Sequence, residues 1–374
     1  KTGQYTIRLI VRGKKAYYNS GKKESVQRNT KIKNADFQFA PTKKGTWRKY
    51  SNLDGLAHRN VNDIHISKNG SIWFATDDGV SRYDGKFFDN FSKADGLVSN
   101  QVRAICGAEK GKGLQTDGLG ETIWFATNKG ISSYDGRNFQ NYTTENSNLI
   151  GDNVLSAHRT RNGDLWFGTD MGAIQYNTNK NRFQSYMQKE HRELGIGTLP
   201  DNHINDINSD PVGDTWFATN GGVARFNGKK IVEVLTMADG LPDHRVRAIC
   251  SDGNKGMWFG TESGLAHYDG QRISEVFTIQ DGLWSNRIRA IFRDSEGIIW
   301  FASTPQETSA YERWGYWSGT NITGVITKYD GNGFIMFTPE DGLVSASLSA
   351  INSTPDGLIW FSSKGDGVSS YDEK

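Results

Sequence analysis

The apolar and polar positions of this chain alternate over short distances, and the alternation repeats. In the first clear unit Asn60–Ile66 alternates and Lys68-Asn69-Gly70 follows as a turn. Ile72–Thr76, Val80–Tyr83 and Phe87–Phe91 are further short runs, with Asp84-Gly85 between the last two. Such runs, bounded by Gly, Asn and Asp, predict β-strands and no long helix. Asp-Gly between two of them predicts a two-residue hairpin turn. The unit therefore reads as four strands, A to D, and Ala94-Asp95-Gly96-Leu97 carries the chain onward.

A tryptophan followed by an aromatic and a small residue marks strand B at Trp73, Trp124, Trp166, Trp216, Trp258, Trp300 and Trp360. Ten residues after the first five stand Tyr83, Tyr134, Tyr176, Phe226 and Tyr268, and Tyr371 follows Trp360 one residue later than that rule. Self-similarity at this spacing signals a radial or linear repeat. Seven units of four strands predict an all-β, seven-bladed β-propeller, with the Trp row packed between adjacent blades.

The two ends predict how the ring closes. The last unit stops after strand C at Tyr371-Asp372, whereas Thr46–Ser51 and the Leu53-Asp54-Gly55-Leu56 that follows match a strand D and its exit loop. Residues 46–51 are thus expected to complete the C-terminal blade beside Val368–Tyr371, three strands plus one, so that no open sheet edge remains at the seam. The propeller spans 46–374, and 1–45 form a basic N-terminal extension. Within it Tyr5–Val11 reads as a strand, Gly13-Lys14-Lys15 as a turn and Ala16–Asn19 as a return.

Three insertions interrupt the repeat: Gly107–Thr122 in the second unit, Met187–Pro200 after the third, and Ser303–Gly324 in the sixth. In antiparallel blades the D-to-A and B-to-C connections share one face. Loops 187–200 and 303–324 are therefore expected together, with 107–122 on the opposite face. The sixth-unit insertion carries Tyr311, Trp314, Tyr316 and Trp317. These rings suit a sugar or a protein partner, or else they fold back on the rim of their own blade.

Strand A starts near the channel mouth and brings Arg59, Arg103, Arg245, Arg247, Arg287 and Arg289 there, with His58, His203 and His244. Arginine forks match carboxylates and phosphates, so this funnel suits an acidic sugar, a peptide carboxylate or another anion. The structural alternative is that the arginines pair with acidic groups of neighbouring blades. The histidines allow a polysaccharide lyase or hydrolase with its active site in the funnel, although no catalytic motif accompanies them. No metal-ligand spacing or cofactor motif is present, and neither group is expected.

Charge changes the picture in one respect. The net charge is only +2, yet residues 1–45 hold 12 Lys/Arg against Glu24 and Asp36, giving +10 and leaving −8 on the ring. An acidic ring argues against nucleic acid as a partner. No apolar run approaches the roughly 20 residues of a membrane-spanning helix, and no signal-like segment opens the sequence. Cys106 and Cys250 occupy the same repeat position, which in a ring faces different neighbours. They are expected as buried free thiols. Asn141, Asn321 and Asn352 begin N-x-S/T triplets short enough to arise by chance.

DGLVSNQVRAI (Asp95–Ile105), DSEGIIWFAS (Asp294–Ser303) and GLAHYDG (Gly264–Gly270) resemble the two-component regulator propeller repeat, and the resemblance runs through all seven units of 46–374. It implies the propeller fold and a place in extracytoplasmic sensing or at the cell surface. It carries no universal catalytic residue. Sensors of this kind usually hold a second propeller, an immunoglobulin-like domain, a membrane span and a kinase, none of which is seen here, so either an excised part or, given the self-closed ring, a free-standing exported protein is expected. The combined expectation is a non-catalytic extracytoplasmic module that binds an oligosaccharide or a protein partner at the cell surface through the face of loops 187–200 and 303–324. The alternatives are the funnel enzyme and a scaffold subunit of a cell-surface assembly.

Overall fold

A computed structural model describes residues 45–108, 120–188, 197–304, 324–344 and 347–374, and the backbone of 10–11, 14–15 and 38–39. In blade 1, strand A is Val61–Ile66, B Ile72–Thr76, C Gly79–Tyr83 and D Phe88–Phe91, paired antiparallel in that order. Strand B is buried from end to end, whereas no residue of strand D is fully buried. That gradient follows from position, because a strand near the hub is covered on both faces by neighbouring blades and a rim strand is not. The same order recurs in the other units, whose A strands are Val102–Ala108, Val154–Arg159, Ile204–Ser209, Val246–Ser251, Arg287–Arg293 and Ser347–Ser353. Each A strand contacts the next, and that of the seventh blade contacts that of the first. The expected all-β propeller of seven four-stranded blades is what forms.

The seam is built as the chain ends predict. Thr46–Tyr50 pairs antiparallel with Val368–Asp372, placing Trp47 opposite Tyr371 and Lys49 opposite Ser369. The Trp47 ring lies 4.6 Å from that of Tyr371 and 5.7 Å from Phe361. Blade 7 also bonds directly to blade 1: Asn352 Nδ2 donates to the Ile64 carbonyl at 2.9 Å and Ser349 Oγ to that of Val61.

The Trp row packs as expected. Trp73 lies 5.8 Å from Phe125 of blade 2, Trp166 5.0 Å from Phe217 of blade 4, and Trp300 5.8 Å from Phe361 of blade 7. The exit loops place one leucine per blade in the core: Leu56, Leu97, Leu149, Leu199, Leu241, Leu283 and Leu343 are all buried. In the Ser51–Leu56 loop, Ser51 Oγ accepts from Leu53 N and the Asp54 carboxylate accepts from Ser51 N at 2.8 Å, while Gly55 turns left-handed at φ +108°. This reciprocal cap, followed by a residue that tolerates positive φ, is why the Asp-Gly-Leu signature recurs.

Two local expectations are corrected. The C–D connection of blade 1 is not a two-residue turn: Tyr83 pairs with Phe88, leaving Asp84–Phe87 as a four-residue loop. Asp84 Oδ1 accepts from both Lys86 N and Phe87 N at 2.8 Å, and these bonds hold its carboxyl below the ordinary range. An aspartate that caps two backbone amides favours the wider turn. Asp135, Asn227, Asp269 and Asp330 repeat the geometry. Near the N-terminus Ile10–Val11 pairs with Lys14–Lys15. The two lysines assigned to a turn thus stand in the returning strand. Gln38–Phe39 lies parallel along the outer strand of blade 6, Phe334–Phe337, as a fifth strand.

Candidate ligand-binding face

The D–A and B–C connections meet on one face. Gly79 N, in the B–C turn of blade 1, donates to the Asn100 carbonyl in the following D–A loop at 2.7 Å, and Asn100 Nδ2 reaches Asp78. The same meeting at the seam brings Gly367 N to the Arg59 carbonyl at 2.8 Å. Among the described residues the exposed large apolar side chains are Leu53, Phe87, Met171, Met187, Val212 and Met237. Leu53, Met171, Met187 and Met237 stand on this face, whereas Phe87 and Val212 belong to C–D and A–B turns opposite.

The structure sorts the candidate arginines. Arg247, on strand A of blade 5, donates Nε to Glu262 Oε1 at 2.8 Å and Nη1 to Asn205 Oδ1 at 3.0 Å and Asn220 Oδ1 at 3.4 Å. From blade 6, Arg289 donates Nη1 to the same Oε1 at 3.0 Å, and Arg287 Nε stands 3.3 Å from Glu262 Oε2. Three guanidiniums thus converge on one carboxylate in the B–C turn of blade 5. Burial alone would raise the Glu262 carboxyl, but Arg247, Arg289 and Arg287 outweigh it and hold it below its ordinary value. The Arg289 guanidinium moves down, chiefly through burial and then through repulsion by Arg247 and Arg287. The arginines do pair with an acidic group, as the structural alternative expects, but one acid serves three of them.

The remaining candidates are dispersed. Arg59 and Arg245 are exposed just ahead of their strands A. Arg103 stands near enough to Lys364 to help lower that ammonium, after burial and against the opposing pull of Asp77. His58 Nδ1 accepts from Asn60 N at 3.0 Å, His244 Nδ1 lies 3.4 Å from Asp243, and His203 N donates to Asp201. These histidines sit in three separate D–A loops. Tyr311, Trp314, Tyr316 and Trp317 lie outside the described residues, as do Asn321, the centre of loop 187–200 and most of 107–122. Two of the N-x-S/T asparagines are already engaged: Asn141 donates to the Gly96 carbonyl and Asn352 to that of Ile64.

Glu262, Asn205 and Asn220 escape sequence reasoning because their roles depend on which blade faces which. So do Asp63 and Asp206, at equivalent positions on strands A of blades 1 and 4. Each accepts from an amide of its own strand and one of the next blade, Ile105 N at 2.8 Å and Ile249 N at 2.9 Å. Burial pushes the Asp63 carboxyl up to about 6 and that of Asp206 up to about 7, where repulsion by Asp63 adds to it.

Residues 148–171, 240–263 and 282–304 match the family model described as two component regulator propeller. The matched stretches fall in blades 3, 5 and 6 and include strands A and B. Comparison with curated proteins finds no match. Among solved structures, the virginiamycin B lyase of Staphylococcus aureus is 16% identical with a TM-score of 0.62, over 87% of this chain and 99% of that one. PorZ, described as a bacterial surface component of the type-IX secretion system of Porphyromonas gingivalis, is 16% identical with a TM-score of 0.59, over 85% of this chain and 47% of that one. At these identities the likeness is one of fold. The chain is a seven-bladed β-propeller. It carries two component regulator propeller repeats, and among its described residues no helix is long and apolar enough to cross a membrane.

Proposed function

We propose that this propeller is a non-catalytic recognition module that works outside the cytoplasm and holds a carbohydrate or a protein partner on the face of the D–A and B–C connections. The observation that carries this reading is the meeting, on that face, of accessible guanidiniums with exposed apolar side chains. A face that offers both charge and apolar surface suits binding. The regulator-type repeat supports the extracytoplasmic setting. Loops 187–200 and 303–324 are rooted on this face as well. The larger one leaves blade 6 at Thr304, the cross-strand partner of Arg287, and returns at Val325, the partner of Ser303.

The test is to excise Tyr311–Trp317 and compare the variant with the parent chain on a glycan array and in a pull-down from the native source. Glycan binding that survives while a captured partner disappears makes the loop a protein interface. Loss of glycan binding makes it part of a sugar site. If mutations across the opposite face abolish binding while those on this face leave it intact, the reading fails.

A further inference from the structure

The Arg247–Arg287–Arg289 cluster holds more positive charge than its resident acid can balance. Among the described residues, Glu262 is the carboxylate the three guanidiniums share, so a formal charge of +2 remains in a half-buried setting. Their side chains are 24%, 32% and 32% exposed, which leaves each reachable from the channel mouth. A guanidinium carries five N–H donors in a rigid fork. Arg287 offers Glu262 only its Nε and Arg289 only its Nη1. Arg247 is committed further, with Nη1 on two asparagine oxygens of blade 4. Among the described residues, the donors left over are therefore concentrated on the blade 6 arginines.

We infer that Arg287 and Arg289 form a binding site for a ligand carboxylate beside Glu262. This deepens the recognition reading above and rests on its choice of face. Glu262 acts as a template: one of its oxygens already fits between Arg247 Nε and Arg289 Nη1 at 2.8 and 3.0 Å, and a second carboxylate meets the outward N–H groups of the same forks. Planar two-oxygen anions match a guanidinium fork, and a neutral hydroxyl cannot balance the excess charge. The shared chemistry is the carboxylate, whether it comes from a uronic acid or from a peptide terminus.

The experiment titrates the full chain by calorimetry with D-galacturonate, N-acetylglycine and D-galactose. It is repeated on Glu262→Gln and on the double variant Arg287→Ala/Arg289→Ala. At least one of the two carboxylates binds the parent chain, with an affinity that falls as salt rises. The double variant weakens it roughly tenfold or more, since charge-assisted bonds are lost. Glu262→Gln tightens it by about threefold or more, because the competing resident anion is gone; a structural ion pair alone would not give that gain. Stronger binding of galacturonate assigns a sugar source, and stronger binding of N-acetylglycine a peptide source. If the double variant does not fold, the Glu262→Gln and salt arms decide. Absence of carboxylate binding, or no gain in Glu262→Gln, overturns the inference. Galactose binding that ignores both changes also overturns it, yet leaves the recognition reading standing.

Discussion

Trp360, in strand B of the last blade, packs its ring 5.5 Å from that of Phe74 in strand B of the first. The two residues are neighbours across the seam in the same way that Trp73 and Phe125 are neighbours inside the ring. Trp360 also stacks on Tyr50 at 5.3 Å, the residue that closes the N-terminal strand. The junction between the chain ends is thus a full blade-to-blade interface, and stability around the whole ring depends on a five-residue strand supplied from the other end of the chain.

Truncation separates this strand from what precedes it. Removing residues 1–51 strips blade 7 of its outer strand and exposes Tyr371 and Phe361, so an unstable or aggregating protein is expected. Removing 1–44 keeps the strand and forfeits, among the described pairings, the Ile10–Val11/Lys14–Lys15 hairpin and the short pairing of Gln38–Phe39 with blade 6. Thermal unfolding of the two truncations reads the difference directly, and equal midpoints would count against a structural role for Thr46–Tyr50.

The exit loop of blade 6 is pressed onto the same seam. Gly342 has φ +118°, and a Cβ there would meet the Trp47 Cβ at 2.6 Å. Gly342→Ala is expected to cost about 1–3 kcal/mol in chemical denaturation, through backbone strain plus overpacking. Gly85→Ala provides the comparison, since Gly85 also has positive φ but open space around it. It should cost clearly less.

The paired aspartates give the fold a pH signature. A carboxyl whose folded pKa lies above its unfolded value binds more protons in the folded state between those two values. The stability it contributes is therefore present at acid pH and is lost as pH rises through the folded pKa. For Asp206, raised from 3.8 to about 7, the loss falls between roughly pH 4 and 7 and amounts to roughly 2–4 kcal/mol. Other carboxylates, Glu262 among them, run the opposite way, so the comparison with Asp206→Asn is the informative one. The advantage of the parent chain over Asp206→Asn should shrink from pH 5 to pH 8 in urea denaturation. An advantage that grows with pH would contradict the assignment.

Both cysteines are buried and free. Burial, first among the causes, pushes the Cys250 thiol up to about 12 and raises that of Cys106 as well. Since the thiolate is the reactive form, native protein should resist iodoacetamide at pH 8 over hours while denatured protein is labelled at both positions within minutes. Mass spectrometry of the two peptides distinguishes these outcomes.

The Trp spacing, the Asp-Gly-Leu loops and the missing fourth strand at Tyr371 made the blade count, strand order and seam legible in the sequence, because each reports a local and repeated physical need. The width of the C–D turn was misjudged because Asp-Gly favours two turn types. Only the carboxylate's bonds to the two following amides distinguish them. At the candidate site, Arg247, Arg287 and Arg289 could be named from the sequence, but Glu262 could not. Its carboxylate matters because the ring brings the B–C turn of blade 5 against strand A of blade 6, a contact that the order of residues does not spell out. Asp63 and Asp206 stand at one repeat position that holds Ala104 and Ala248 in other blades, and this departure was a signal that sequence reading left unused.

The closure of the ring is tested most directly by a cysteine pair at positions 48 and 370, which face each other across the seam. Antiparallel partners bring their Cα atoms to about 4.5–5.5 Å, within disulfide reach. Arg48→Cys/Ser370→Cys is expected to form an intramolecular bridge under mild oxidation, seen as a linked peptide after digestion and as a rise in the unfolding midpoint. Monomers with both thiols free, or bridges found only between molecules, would contradict it.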